Sequence, residues 1–309
     1  MTTNDLVRNK RRAAPSVSHP RGGRTTYGVG LGALSASSWV APAPMHHIRA
    51  GAGDPPLVFI HGFGCSHIDW QPQIEHFAKQ HAVAACDLRG HGETPGEAAQ
   101  CCIETYGADV AAWLAEPSLG GAVLVGHSMG CRVALQAALD APDRVRALVL
   151  IDSSKLGAGD PADAERSARS SIDDLGFTAF SKAFFDGMFV ASSPEAIKQE
   201  IVSRAAALPA AIGRVLFPRM VAWDAQRMEA ALAVVEARRM PLLVIQSTHL
   251  NADRVRVSIK PGVDTPWLQT VRRCAPTAQI EIVPNVGHFP QLEAPAHVNR
   301  LIASFVGAR

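Results

Sequence analysis

Six short apolar runs, spaced by stretches long enough for helices, constrain the fold of this chain more than any other feature of its sequence. They occupy 56–60, 82–86, 122–125, 147–151, 241–245 and 279–283. The first five are nearly continuous in apolar residues, the pattern of parallel strands covered on both faces. The last alternates, which suits a strand nearer the sheet edge. Helical spacing marks 70–80, 106–114, 129–140, 267–274 and 294–306. This strand–helix alternation predicts an α/β fold with a doubly wound, mostly parallel sheet. Two further strands are expected between the N-terminal leader and residue 56, which makes the sheet eight-stranded.

The interval after 147–151 breaks the rhythm. Residues 153–238 carry helical spacing but no strand-like run, and they are too many for a crossover. More than half of the 11 phenylalanines fall there: Phe177, Phe180, Phe184, Phe185, Phe189 and Phe217. Such an insertion reads as a helical cap over the carboxyl edge of the sheet, placed after the sixth strand. The expected organisation is a leader at 1–24, an α/β core at 25–152 and 239–309, and a cap at 153–238. Phe180, Phe184, Met188, Phe189 and Trp223 are candidates to roof a pocket, while other aromatics build the cap's own interior.

With 309 residues, 47% of them hydrophobic, the chain can bury a full core. Its net charge of +2 is uneven. Arg8, Lys10, Arg11, Arg12, Arg21 and Arg24 against Asp5 give residues 1–24 a charge of +5 and leave −3 for the rest. A basic body that could coat nucleic acid or an anionic membrane is therefore lacking. Nor is there an apolar stretch of about 18 residues to span a bilayer. Cys65, Cys86, Cys101, Cys102, Cys131 and Cys274 lack C-x-x-C or zinc-finger spacing and read as reduced thiols, which favours a cytoplasmic protein. A competing reading takes Arg11-Arg12 and the weakly apolar 27–45 as a twin-arginine export leader. Pro15, Pro20, Arg21 and Arg24 lie between the two and weigh against it. The leader itself is expected to be disordered.

The chemistry is carried by Gly126-His127-Ser128-Met129-Gly130, which follows a strand run directly and opens a helix. That context gives G-x-S-x-G its meaning: a turn sharp enough to strain and expose the serine, with glycines relieving the crowding on either side. The helix behind it points its N-terminus at the reaction centre and favours developing negative charge. Three other landmarks accompany it: His61-Gly62-Phe63-Gly64, Asp87-Leu88-Arg89-Gly90-His91-Gly92 and Gly287-His288-Phe289. In this order and spacing the four motifs resemble the α/β-hydrolase superfamily, over nearly the whole chain after the leader.

The resemblance implies a serine nucleophile at Ser128 and a general base at His288, on the loop after the last strand. It also implies an oxyanion hole made by the backbone N–H groups of Phe63 and Met129. His61 and His91 read as braces for their loops; His249 and His297 lack the base's loop context. The acid departs from the commonest pattern, because Gln246-Ser247-Thr248-His249 offers no carboxylate where most members carry one. Asp152 ends a strand at the position used in the similar haloalkane dehalogenases and zearalenone-type lactonases, and it stands ahead of Asp253, with Asp264 third.

A serine at the elbow implies acyl transfer to water from a carboxylic ester or lactone of mainly apolar character, without a metal or other cofactor. The alternatives are hydrolytic carbon–carbon cleavage of a dienoic acid or diketone, with Arg132 or Arg204 holding the substrate carboxylate, and a hydrolase-fold small-molecule receptor. The expected partner is a small molecule, with no nucleic acid and no membrane; a homo-oligomer stays open.

Overall fold

Successive residues of a strand face opposite sides of its sheet, so a sheet rich in unbroken apolar runs must be covered twice. The computed structural model describes residues 41–253 and 255–308. Its strands are β1 (His47–Ala50), β2 (Leu57–Ile60), β3 (Val83–Cys86), β4 (Ala122–His127), β5 (Val145–Ile151), β6 (Leu242–Gln246), β7 (Thr248–Leu250), β8 (Arg256–Ser258) and β9 (Gln279–Ile282). Seven of them form one sheet in the order β1-β3-β2-β4-β5-β6-β9. All neighbours are parallel except β1 with β3. Leu57, Phe59, Val123, Val125, Val149, Ile151 and Leu243 pack with Trp70, Phe77, Ile302 and Phe305 on one face. Val58, Ile60, Leu124, Leu148, Leu150 and Val244 belong to the core on the other face, with Tyr106, Val133 and Trp267. Each such side chain taken from water contributes about 1.5–3 kcal/mol, enough to hold both layers.

The helices of the core are α1 (Gln71–Phe77), α2 (Ile103–Trp113) and α3 (Met129–Asp140). Between β5 and β6 come α4 (Pro161–Leu175), α5 (Phe177–Asp186), α6 (Glu195–Ala206) and α7 (Ala210–Ala237). Three helices, α8 (Pro266–Cys274), α9 (Pro290–Glu293) and α10 (Pro295–Gly307), complete the chain. None among the described residues is long and apolar enough to cross a membrane by itself. All six cysteines are free.

Of the eight strands expected, seven lie in the sheet among the described residues, and the helical insertion follows β5, the fifth of these. One of the two strands expected ahead of residue 56 is β1; the leader, the export reading and the rest of 25–40 lie outside the described residues. The hairpin β7–β8 was not anticipated. Its strands have three residues each and no apolar run, so nothing in their pattern marks them.

Register sets up the site. His127 lies opposite Ile151, and Ile151 opposite Ile245. The ladder continues one residue further, Ser128 N–H donating to the Ile151 carbonyl (3.0 Å) and Asp152 N–H to that of Ile245 (2.8 Å). The two residues therefore leave adjacent strands at one level, on the carboxyl edge where open α/β sheets bind ligands.

Candidate active site

Ser128 joins β4 to α3 with φ 53 and ψ −111, a conformation that costs a side-chain-bearing residue about 1–3 kcal/mol. The surrounding turn admits no alternative. A Cβ at Gly126 would lie 2.3 Å from the Gly130 carbonyl oxygen, and one at Gly130 would lie 2.1 Å from that of Ile60. Glycine at both flanks is thus a steric requirement of the elbow.

Ser128 Oγ lies 2.9 Å from His288 Nε2, and His288 Nδ1 lies 2.6 Å from Asp152 Oδ2. Asp152 is buried and has φ 43, so it too is held in a conformation uncommon outside glycine. Its oxygens are fully subscribed. Oδ1 accepts from the backbone N–H groups of Ser247 (2.7 Å) and Thr248 (2.8 Å), and Oδ2 accepts the Thr248 hydroxyl at 2.5 Å beside the imidazole. The segment after β6, where the usual acid is missing, thus supplies the donors that hold a carboxylate from β5. Asp253 sits exposed in the turn of the β7–β8 hairpin, and Asp264 is exposed and paired with Arg272. Neither is paired with His288.

His288 is tethered from three sides. His127 Nε2 donates to its carbonyl oxygen at 2.7 Å, its own N–H donates to the Met188 carbonyl at 2.9 Å, and the Ser247 hydroxyl holds the Gly287 carbonyl at 2.8 Å. Burial pushes His127 down to about 3, so it is neutral and acts as a fixed donor. His61 is a brace, its Nδ1 donating to the Gly62 carbonyl (2.7 Å) and its Nε2 accepting from Leu88 N–H (3.0 Å). His91 is likewise buried, with Nδ1 on the Arg89 carbonyl. His46 and His67 converge with Asp87, a set that could ligate a metal. Both imidazoles lie within hydrogen-bond distance of Asp87, which also accepts the backbone N–H groups of His67 and Glu93.

The backbone N–H of Phe63 meets no acceptor among the described residues, and that of Met129, first in α3, has no intrahelical partner. Free donors of this kind suit an oxyanion, each worth about 3–4 kcal/mol when charge develops.

The space at the serine measures about 10 Å³, room for about one water molecule. Phe63, Leu156, Phe184, Met188 and Met220 line it, with Arg132, Ser154 and Arg256. Of the cap residues expected to roof it, Phe184 and Met188 do. Phe180, Phe189 and Trp223 are absent from its lining. Phe180 stacks on Phe184, Phe189 stacks on Phe289, and Trp223 is buried with its N–H on Gln136 of α3. Ring-to-ring packing and one indole hydrogen bond divert them into the cap's interior and its seam with the core. A larger cavity of about 640 Å³ lies beside the site, between Gly90–Gly96 and the α6–α7 junction, and does not include Ser128.

The two arginines weighed as carboxylate holders are both occupied. Arg132 makes a bidentate pair with Asp224 (2.7 Å and 2.7 Å) and donates to the carbonyls of Ser128 and Ser154. Arg204 pairs with Asp69 and Glu200. Arg256, unremarked in the sequence, is the arginine whose side chain enters the site from β8.

These charges act on His288 and Asp152. Burial, then the Arg256 charge, hold His288 below the ordinary histidine range, and its hydrogen bond to Asp152 only partly offsets them. Burial alone would raise Asp152, but the His288 contact and the Arg256 charge bring it below the usual carboxylate range. Acting as a general base, His288 would have to be neutral to accept a proton, so activity would be lost as pH falls through its pKa. The profile of kcat/KM on a neutral ester should therefore rise through a midpoint below about 6.5 and stay level above it. A midpoint above 7 would contradict this account of the site.

The chain is 28% identical over 264 residues to the dihydrolipoyllysine-residue acetyltransferase component of the acetoin cleaving system of Pseudomonas putida, covering 83% of this chain and 64% of that one. It thus spans less than two thirds of that relative's length. It is 26% identical over 280 residues to an sn-1-specific diacylglycerol lipase of Mus musculus, covering 86% of each. The solved structure of an N-acyl homoserine lactone degrading enzyme superposes with a TM-score of 0.69 at 24% identity, covering 84% of this chain and 96% of that one, a likeness of fold. The model of the alpha/beta hydrolase family matches residues 57–300. With that match over most of its length, the chain belongs to the alpha/beta hydrolase family.

Proposed function

We propose that the protein is a serine hydrolase that cleaves a carboxylic ester or lactone of mainly apolar character through an acyl-serine. The observation that carries this reading is the continuous relay from Ser128 Oγ through His288 to Asp152, set beside two unspent backbone N–H groups. Ser128 Oγ attacks the carbonyl carbon while His288 Nε2 takes its proton. The oxyanion forms against Phe63 and Met129, and His288 returns the proton to the departing alkoxide. Water then attacks the acyl-serine with His288 again as base, releasing the acid and restoring the serine. The apolar lining by Phe63, Leu156, Phe184, Met188 and Met220 supports an apolar substrate body. The lipase and lactone-degrading relatives act on substrates of related chemistry.

The test is a chain-length series of p-nitrophenyl esters and a ring-size series of lactones, with dienoic acids included for carbon–carbon cleavage. Phe184→Ala should move the chain-length optimum, whereas Phe180→Ala, one ring further from the serine, should mainly lower the unfolding midpoint. Turnover of dienoic acids alone would replace the ester reading, and saturable binding without turnover of any class would favour a receptor.

A further inference from the structure

We infer that Arg256 is a substrate anchor, which holds a carboxylate carried by the ester or lactone while its carbonyl meets Ser128. The inference rests on the ester or lactone reading of the same site and names the substrate class more closely: an acid ester or acid lactone.

The argument begins with an imbalance between two arginines. A buried cation ordinarily meets a carboxylate that shares its hydrogen bonds. Arg132 obeys this rule, with Nε and Nη2 on Asp224 and Nη1 on the Ser128 carbonyl. Arg256 is nearly as enclosed, its side chain 9% exposed, yet its only hydrogen bond among the described residues joins Nη1 to the Thr248 hydroxyl at 2.7 Å. The carboxylate within ion-pair range is Asp152, 3.8 Å from Nη1, too far for a hydrogen bond. Nor can Asp152 turn toward it, because its two oxygens already accept from Ser247, Thr248 twice and His288. Nε and Nη2 of Arg256 therefore remain as donors without an acceptor among the described residues, on a residue that lines the same space as Ser128 and His288.

A guanidinium offers parallel donors in a plane, the geometry that a carboxylate matches with both oxygens. The surroundings strengthen the match, since Phe63, Leu156, Phe184 and Met220 keep the local dielectric low. The oxyanion of the reaction itself is already provided for by Phe63 and Met129. What the unspent donors of Arg256 can recognise is a second anionic group, elsewhere in the substrate. An acid diketone would present the same group, and the choice of ester or dienoic acid as reporter distinguishes the two.

The experiment compares kcat/KM for p-nitrophenyl monoesters of glutaric and adipic acid with that for p-nitrophenyl valerate and hexanoate. The ratio of anionic to neutral substrate is the readout, so any general loss from disturbing Thr248 cancels. Wild type should favour the acid esters by more than tenfold, Arg256→Gln should lower the ratio by about 100-fold, and Arg256→Lys should fall between. Calorimetry of monoethyl glutarate binding to Ser128→Ala, with and without Arg256→Gln, gives a measure that needs no turnover. A ratio unchanged by Arg256→Gln, or equal binding with and without the arginine, overturns the anchor. If wild type hydrolyses none of the esters, the esterase reading fails and the binding comparison decides the anchor by itself.

Discussion

Replacing Ser128 with alanine should lower turnover of a p-nitrophenyl ester about a millionfold, the scale seen when a triad serine is removed, and should abolish labelling by a fluorophosphonate. The expectation follows from how few groups surround the reacting carbon. His288 Nε2 has one partner in the site, Ser128 Oγ at 2.9 Å, and the buried cysteine nearby, Cys131, is turned toward the carbonyls of Gly126 and Ile151. Burial also pushes the Cys131 thiol up to about 12, so it cannot substitute as a thiolate near neutral pH. The residual rate in Ser128→Ala is what Phe63, Met129 and binding contribute without a nucleophile. Mass spectrometry of the labelled wild type should place one adduct on the peptide containing Ser128. A label that survives the substitution would move the nucleophile elsewhere.

The acid gives the second large effect. Asp152→Asn should reduce kcat by about 10⁴, whereas Asp253→Asn should leave it within a few-fold of wild type. The amide keeps the shape of the side chain but presents a donor or a neutral oxygen to His288 Nδ1, so the imidazole loses the partner that fixes its tautomer. Here the damage has a second source. Asp152 accepts two backbone N–H groups and a hydroxyl besides the imidazole, and an amide cannot accept from all four. Rates should be read beside a urea unfolding curve for each variant. Equal mild losses in both would mean that neither residue orients the base.

The parts of this molecule legible in the sequence are those fixed by local pattern. β2 through β6 announce themselves because strands buried on both faces must be apolar throughout, and Met129–Asp140 because its start is set by the elbow. Ser128 and His288 are marked by glycines and by their position after strands. Asp152 was visible as a strand-end acid, but its preference over Asp253 depends on register: Ile151 opposite His127 puts it beside the serine, while a three-residue hairpin carries Asp253 out to solvent. Arg256 was not legible. An arginine two residues from a turn looks like any surface cation until the hairpin folds its side chain inward. The roles of the cap aromatics were equally hidden, because Phe180 and Phe184 share one helical face and only packing against Phe217 and Phe63 decides which ring reaches the serine.

The tie between Met188 and His288 has a mechanical consequence. Space at the serine for about one water means that any larger guest must displace a wall. The α7 wall is bolted to the nucleophile's own helix, since Asp224 grips Arg132 and Trp223 grips Gln136; removing one member of such a buried ion pair costs about 3–5 kcal/mol. The wall of Phe184 and Met188 is held by ring contacts, by the backbone hydrogen bond from His288 to Met188 and, just beyond it, by Phe189 stacked on Phe289 and the Ser192 and Ser193 hydroxyls on the Asn285 carbonyl and Glu293. Displacing Met188 would break one of the three ties on the His288 segment, while the His127 contact to the His288 carbonyl and the Ser247 contact to the Gly287 carbonyl would keep the imidazole in place.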